Sequence, residues 1–522
     1  MTRSPEAPER NSSLMKRRRI APLAAALILT ASVALAAFSP VARPAPEQAD
    51  RFLPQVGQSL INLHDSNRGG WRFKSEIQAP HYQTDRDVGA ASVGMGFLAM
   101  ADKYPNDPRW LHAAEETARW LEAVSSQDGH GGRYWHDYVD DHSISPNVYT
   151  SFDDGAIGIG DFFWQLYAKT HNPQYKQVSL ESLRWTFSQA QTFTEAGITG
   201  YRWKWDASAQ NSPYYEGMGE GAAGIINAFA TYYERLKDSD PSIAAKCKHY
   251  IEGGLRGLDA IRRQLHNNIG TSPTIPGTGV AGQNGDTEMD SGYLSGAAGA
   301  AYMYLNLHRI FGNKEYLTNA EEILGWLSDT KHGPIVKLGN NEVAWRLALD
   351  PQGGNNNSLA TGVEEGAAGI GWAYLQAYNQ TGNKNYLNTA KAAGNWLLSV
   401  AIKQPGGGLA WREDEHSTNI LVRPNLDNGA AGIGMFLQDL AKDSRDSKYQ
   451  AGAQGAVKWL MTSAQGHANH IYWNDNDEGN HFSKDPSWHW GLAGIIEAIQ
   501  RIDAGQQDII GEQPSLPSKA VR

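Results

Sequence analysis

Gly366-Ala-Ala-Gly-Ile-Gly-Trp-Ala-Tyr-Leu375 reads as the start of an apolar helix whose first turn is nearly stripped of side chains. Its opening Gly-x-x-Gly recurs as Gly155-Ala-Ile-Gly158, Gly221-Ala-Ala-Gly224, Gly296-Ala-Ala-Gly299, Gly429-Ala-Ala-Gly432 and Gly491-Leu-Ala-Gly494. A seventh copy, with alanine at the first place, reads Ala91-Ser-Val-Gly94. The first positions are 64, 66, 75, 70, 63 and 62 residues apart. A period that regular marks one supersecondary unit repeated seven times.

Between the copies lies a second helical pattern. It carries an aromatic residue and a tryptophan ten residues apart: Trp110 and Trp120, Tyr175 and Trp185, Tyr316 and Trp326, Tyr386 and Trp396, Tyr449 and Trp459. Turn or cap signals such as Asn106-Asp-Pro108, Asn172-Pro173 and Gly382-Asn383 open these segments. That spacing suits a core-facing stripe. A glycine-rich turn and another aromatic then follow, at Trp71, Trp135, Tyr201, Trp345, Trp411 and Trp473, each 18 to 21 residues before the next repeat start. The fourth repeat departs, with Ser272-Pro-Thr-Ile-Pro276 at the aromatic's place and a long loop from Gly277 to Asp290. Paired helices that cannot each bury a face alone are satisfied by closing into a ring. The expected fold is therefore all-α: an (α/α) toroid of seven helical hairpins. The glycines would let the inner helices approach one another, and short strand-turn segments would form one rim.

Three domain segments are expected. In residues 1–46, Lys16-Arg-Arg-Arg19 precedes the apolar run Ile20 to Phe38, and Ala34-Leu-Ala36 offers a small-residue cleavage signature before Pro40, Pro44 and Pro46. Met15 is an alternative start. This reads as an export signal, with a retained anchor at residues 20–38 as the other reading, and either places the barrel outside the cytoplasm. Residues 47–504 form the barrel, and 505–522, with Pro514 and Pro517 and few apolar residues, read as a disordered tail. The formal charge of −10, from 46 basic and 56 acidic residues, gives no reason to expect nucleic acid. A single cysteine, Cys247, excludes an internal disulfide and reads as a small core residue.

Function is sought just before the inner helices, where Asp153-Asp154, Gly219-Glu220, Leu294-Ser295, Glu364-Glu365, Asp427-Asn428 and His489-Trp490 stand. In a ring these would converge on one mouth. Helix capping and dipole compensation are one account of the acids. The other is catalysis: carboxylates across a pocket can have divergent pKa values, one acting as acid and one as base. Asp153, Asp154, Glu220, Glu364, Glu365 and Asp427 are the candidate catalytic acids. Trp71, Trp135, Tyr201, Trp345, Trp411, Trp473 and His489 are the candidate substrate contacts, because aromatic faces stack on sugar rings; closing the hairpin is the structural account of the aromatics. Glycoside hydrolysis by paired carboxylates is the favoured reaction, and a lyase or epimerase with Tyr214, Tyr215 or His489 as base is another.

The inner helices, Asn428-Gly-Ala-Ala-Gly-Ile-Gly434 and Trp488-His-Trp-Gly-Leu-Ala-Gly-Ile495, resemble the lanthionine synthetase C family over about residues 55 to 503. The resemblance implies the seven-hairpin toroid. It also implies where a metal would sit, because cyclases of the family bind zinc through two cysteines and a histidine in Trp-Cys-x-Gly and Cys-His-Gly motifs. Laid on this chain, those places hold Glu364, Asp427 and Asn428. Hard oxygen ligands do not suit zinc-held thiolate chemistry, so no metal or other cofactor is expected. The substrate is then a polysaccharide or a peptide. The alternatives to an enzyme of sugars are a binding protein for peptide or glycan and, third, a lanthionine-type cyclase.

Overall fold

A computed structural model describes residues 46–75, 81–269, 289–339, 341–349, 357–416, 422–473 and 484–504. The expected export signal, the turn at 272–276 and the tail from 505 lie outside these residues. Among the described residues no helix is long and apolar enough to cross a membrane.

Fourteen helices are described: α1 (Pro46–Ile61), α2 (Ala90–Lys103), α3 (Pro108–Val124), α4 (Ala156–Thr170), α5 (Pro173–Ser188), α6 (Ala222–Leu236), α7 (Pro241–Ile269), α8 (Ala297–Phe311), α9 (Lys314–Leu327), α10 (Ala367–Thr381), α11 (Lys384–Val400), α12 (Ala430–Ser444), α13 (Ser447–Ser463) and α14 (Leu492–Ala504). The even-numbered helices pack in sequence, α2 on α4 and so on to α14, and α14 packs back on α2. That contact closes a ring of seven. Each inner helix pairs with the outer helix that follows it, except α14, whose outer partner is α1. The N-terminal helix thus completes the seventh hairpin.

Local chemistry sets the boundaries. Outer helices begin on side-chain caps: Asp107, Asn172, Asn313, Asn383 and Asp446 each accept from the N–H two residues on. Proline follows directly at Pro108 and Pro173, where the missing N–H costs nothing. Inner helices α4, α8, α10 and α12 end on left-handed residues, His171, Gly312, Gly382 and Arg445. Trp110, Trp120, Trp185, Trp326 and Trp396 are buried in the wall, as their spacing predicts.

The glycines have a more specific cause than helix approach. At the second glycine of each pair, a Cβ would lie 1.8 Å from the Phe152 carbonyl oxygen (Gly158), 1.9 Å from that of Met218 (Gly224) or Tyr293 (Gly299), 2.0 Å from that of Val363 (Gly369) or Leu426 (Gly432), and 1.8 Å from that of Trp488 (Gly494). In every copy the oxygen belongs to the residue six before the glycine. In these six copies the entering loop folds directly over the first helical turn, and a side chain there would displace it. The same geometry corrects the first copy. The residue before α2 is Gly89, extended like the other N-caps at φ −91° and ψ −168°, so the repeat there is Gly89-Ala-Ala-Ser92. Ser92 replaces the second glycine, and Ala91-Ser-Val-Gly94 is out of frame.

Six of the connections from outer to inner helix contain short antiparallel hairpins, such as Gln191–Glu195 with Ile198–Arg202. The fourth differs, as its sequence predicts: Met289–Asp290 pairs with Ala348–Leu349 from the next repeat.

Candidate functional site

The loops entering the inner helices are joined into a belt. Taking the residue two before each N-cap glycine, Asp87 N–H donates to the Asp153 carbonyl (3.2 Å), Asp153 to Gly219 (3.2 Å), Gly219 to Leu294 (3.0 Å), Leu294 to Glu364 (2.9 Å), Glu364 to Asp427 (3.1 Å) and Asp427 to His489 (3.3 Å). The remaining join runs from the Trp488 N–H to the Ser92 hydroxyl. The one departure from glycine at that place therefore supplies the acceptor that completes the circle. Equivalent main-chain bonds put Asp87, Asp153, Glu364, Asp427 and His489 at equivalent points of one ring.

Capping does not account for these acids. The N-cap residues of α2, α4, α6, α8, α10 and α12 are glycines without side-chain caps. The N–H groups of the entering turn are taken by the residue four before the glycine: Asp85 by Val88 and Gly89, Ser151 by Asp154, Asn425 by Asn428 and Ser487 by Trp490. The ring position is thus left for other work, at seven helix N-termini whose dipoles favour negative charge.

His489 is the centre of the cluster. Its Nδ1 is hydrogen-bonded to Asp427 Oδ2 at 3.0 Å and lies 2.8 Å from Asp427 Oδ1 and 3.8 Å from Asp87 Oδ1, while Nε2 lies 3.9 Å from Asp153 Oδ1. His489, Asp427 and Asp153 are buried, and the Asp87 side chain is 20% exposed. Burial drives the Asp427 carboxyl well above its ordinary range, and drives Asp87 up too, reinforced by the charges of Asp154, Asp85, Asp153 and Asp427. Asp153 is pushed up to about 6 by burial, against the pull of His489 and Arg86. Burial lowers His489, against Asp153. Arg86 stands beside them, with its guanidinium 4.6 Å from the Phe152 ring and 5.0 Å from that of Trp488. Gly219, at the ring position next to Asp153, leaves room that a Cβ would fill 2.4 Å from Asp153 Oδ2.

The neighbouring acids are held differently. Asp154 Oδ2 accepts from the Trp205 indole at 2.9 Å, and Glu364 Oε2 accepts from the Asn428 amide at 2.9 Å. Glu220, Glu364 and Glu365 are half-buried. Trp205, also half-buried, stacks on Tyr149 at 4.5 Å and meets Tyr215 edge-on at 5.7 Å. Burial raises the Tyr215 hydroxyl, helped by Glu220 and Asp154.

The expected aromatic contacts fall elsewhere. Trp135, Trp345, Trp411 and Trp473 are buried, each donating its indole N–H to a carbonyl at the end of an outer helix: Leu121, Leu327, Leu397 and Leu460. In the third repeat that place belongs to Trp203, which donates to Thr186, while Tyr201 packs on α7 and bonds His249 at 2.9 Å. Trp71 stacks on His64 at 4.1 Å. The four buried indoles close hairpins and present no open face to a sugar, while Trp71 and Tyr201 are half-buried and packed against His64 and α7. The repeat pattern does not single out Asp87, Ser92 or Trp205: the first two because Ala91-Ser-Val-Gly94 imitates the motif two residues late, and Trp205 because no other repeat places an aromatic there.

The sequence profile of the family described as "Lanthionine synthetase C-like protein" matches residues 146–425, more than half of the chain. The chain belongs to this family. In fold it is similar to nisin cyclase, with a TM-score of 0.52 at 11% identity, over 87% of this chain and 93% of that one. More distantly it is similar to cellobiose 2-epimerase from Bacillus thermoamylovorans B4167 (TM-score 0.45, 13% identity, 70% and 91% covered). A family 76 alpha-mannanase of Bacteroides thetaiotaomicron stands at a comparable distance (TM-score 0.44, 10% identity, 88% and 95% covered). No curated protein matches the sequence.

Family membership raises the question of zinc. Glu364, Asp427 and Asn428, the residues that the resemblance lays on the cyclase ligands, are two carboxylates and an amide, and the Asn428 amide donates to Glu364. A different group, Asp87, Asp427 and His489, brings three ligand atoms within 4.8 Å of one another.

Proposed function

We propose that the ring is the active site of a carbohydrate-active enzyme working outside the cytoplasm by acid–base chemistry. The observation that carries this is the contrast between Asp153 and Asp154. Asp153 is buried, its Oδ1 has no hydrogen-bond donor, and its carboxyl is pushed up to about 6, which suits a proton donor near neutral pH. Asp154 Oδ2 instead accepts a hydrogen bond from the Trp205 indole at 2.9 Å. Two carboxyls in unlike surroundings are the requirement for acid and base roles. Trp205, backed by Tyr149 and flanked by Tyr215, is the half-exposed aromatic surface on which a pyranose ring would stack. The export signal read at residues 16–38 supports an extracytoplasmic location.

Hydrolysis is the expected reaction, with Asp153 protonating the leaving oxygen and an ionised partner among Asp154, Glu364 and Glu365. The test is a panel of polysaccharides and oligosaccharides, monitored for reducing ends, unsaturated products and epimers. Release of reducing ends that Asp153→Asn lowers by at least about a hundredfold supports the reading. Epimers or unsaturated products would move the base role to His489 or Tyr215. A fully inactive panel with saturable glycan or peptide binding would make this a binding protein.

A further inference from the structure

The geometry points to a divalent-cation site formed by Asp87, Asp427 and Nδ1 of His489. It does not rest on the carbohydrate reading, since the argument concerns only these side chains and the belt that positions them. The three residues stand at the equivalent ring point of the first, sixth and seventh repeats, which are neighbours around the closed ring. Their candidate ligand atoms all lie within 4.8 Å of one another, and Nδ1 is 2.8 Å from Asp427 Oδ1 and 3.8 Å from Asp87 Oδ1. Ligands held about 2.0–2.2 Å from a metal lie roughly 3–4 Å apart, so a cation needs only small side-chain adjustments to be seated here.

Two further observations point to a ligand. Asp427 Oδ1 is buried and lies 2.8 Å from His489 Nδ1 without a well-formed hydrogen bond, the Nδ1 bond being made to Oδ2. The second concerns the far side of the imidazole. His489 Nε2 also lacks a hydrogen-bond partner, and it faces the equally unpartnered Asp153 Oδ1 at 3.9 Å, both residues being more than nine-tenths buried. A cation on Nδ1 fixes the ring proton on Nε2 and aims it at that carboxylate. The result is the metal–histidine–carboxylate relay in which an outer carboxylate orients a ligating imidazole. A cation would therefore give partners to all three orphaned atoms at once. It would also offset the negative charge of Asp87, Asp153 and Asp427, beside which Arg86 supplies one positive charge. Two carboxylates and one imidazole suit Mn²⁺ or Zn²⁺ better than Mg²⁺ or Ca²⁺, which take oxygen ligands. Three protein ligands would leave a coordination position open to water or a substrate hydroxyl.

The experiment uses the tag-free full chain, stripped with chelator and titrated calorimetrically with Mn²⁺ and with Zn²⁺ at pH 7.5. Co²⁺ absorption serves as an independent report on the ligand field. One equivalent is expected. Asp87→Asn and His489→Gln should each weaken it at least about tenfold. Asp153→Asn should weaken it by about 10- to 100-fold while retaining the stoichiometry, and circular dichroism of the stripped variants checks that each is folded. Gly325→Ala, on an outer helix, is the control that should bind as wild type. No binding by the wild-type chain would overturn the assignment. So would binding that survives unchanged in both Asp87→Asn and His489→Gln, or a Co²⁺ spectrum the same in wild type and His489→Gln. Binding without any glycan activity would leave the cation site standing and remove only the proposed reaction.

Discussion

The Asp87 amide donates to the Asp153 carbonyl at 3.2 Å, and the Asp153 amide donates in turn to Gly219 at 3.2 Å. This relation makes Asp87 the first-repeat counterpart of Asp153, and it carries a carboxylate into the cluster from a repeat whose glycine frame is disguised. The belt depends on loops folded tightly over helix starts, and that packing is open to direct test.

Gly158→Ala and Gly369→Ala place a Cβ 1.8 and 2.0 Å from main-chain carbonyl oxygens. Each should destabilise by at least about 3 kcal/mol or prevent folding. Gly325→Ala, within α9 and with open space around its Cα, should instead stabilise by about 0.5–1 kcal/mol. Chemical denaturation of the three variants is the measurement; similar losses in all three would show that the loop contact is not the cause.

Trp345→Phe and Trp411→Phe each leave a buried carbonyl without its indole donor, at Leu327 and Leu397. A loss of about 1–3 kcal/mol in unfolding free energy is expected for each, with glycan binding unchanged. Trp205→Ala should do the reverse, weakening binding tenfold or more with a smaller effect on stability. Affinity measured beside melting temperature separates the two groups of aromatics.

The pH dependence of the metal-free protein follows from raised carboxyls, Asp87, Asp153 and Asp427, opposed by the lowered His489 imidazole. Asp153, raised from an ordinary value of 3.8 to about 6, adds stability that is complete below pH 3.8 and lost as pH rises through 6, by up to about 3 kcal/mol. His489 is lowered, so its contribution is present above its ordinary value of 6.5 and lost as pH falls below it. Asp153→Asn should remove the Asp153 share of this loss, leave the shares of Asp87 and Asp427, and lower His489 further by removing the Asp153 charge. Melting temperatures from pH 4 to 8 test this, and identical profiles for the two proteins would count against it.

Cys247 is buried, and burial pushes its thiol far up. A thiol-specific reagent at pH 8 should label it more than a hundredfold faster in denaturant than in the native protein. Comparable rates would mean that α7 opens locally.

Much of this architecture can be read without coordinates. A seven-fold Gly-x-x-Gly period, capped outer helices and tryptophans at helical spacing are local signals, and they specify an α/α toroid because each records a main-chain or helix-face requirement within one repeat. Even the glycines' cause is local, since the carbonyl that excludes a Cβ is six residues away in sequence.

The site is a different matter. Ala91-Ser-Val-Gly94 imitates the motif closely enough to hide Gly89 and with it Asp87, and only the belt's hydrogen bonds reveal the true frame. Trp135 and its counterparts look like a sugar-binding rim because sequence cannot distinguish an indole bonded to a helix end from one facing solvent. His489 alone before a glycine does not suggest a cluster. It becomes the centre of one when ring closure sets the seventh repeat between the sixth and the first, bringing Asp427, Asp87 and Asp153 within 4 Å of a single imidazole. The repeat by itself determined the helices, their order and the glycine-capped loops, all set by forces acting over a few residues. Only the tertiary structure decided which carboxylates share a site, because burial and charge coupling among them arise across joins between residues as far apart in the chain as Asp87 and His489.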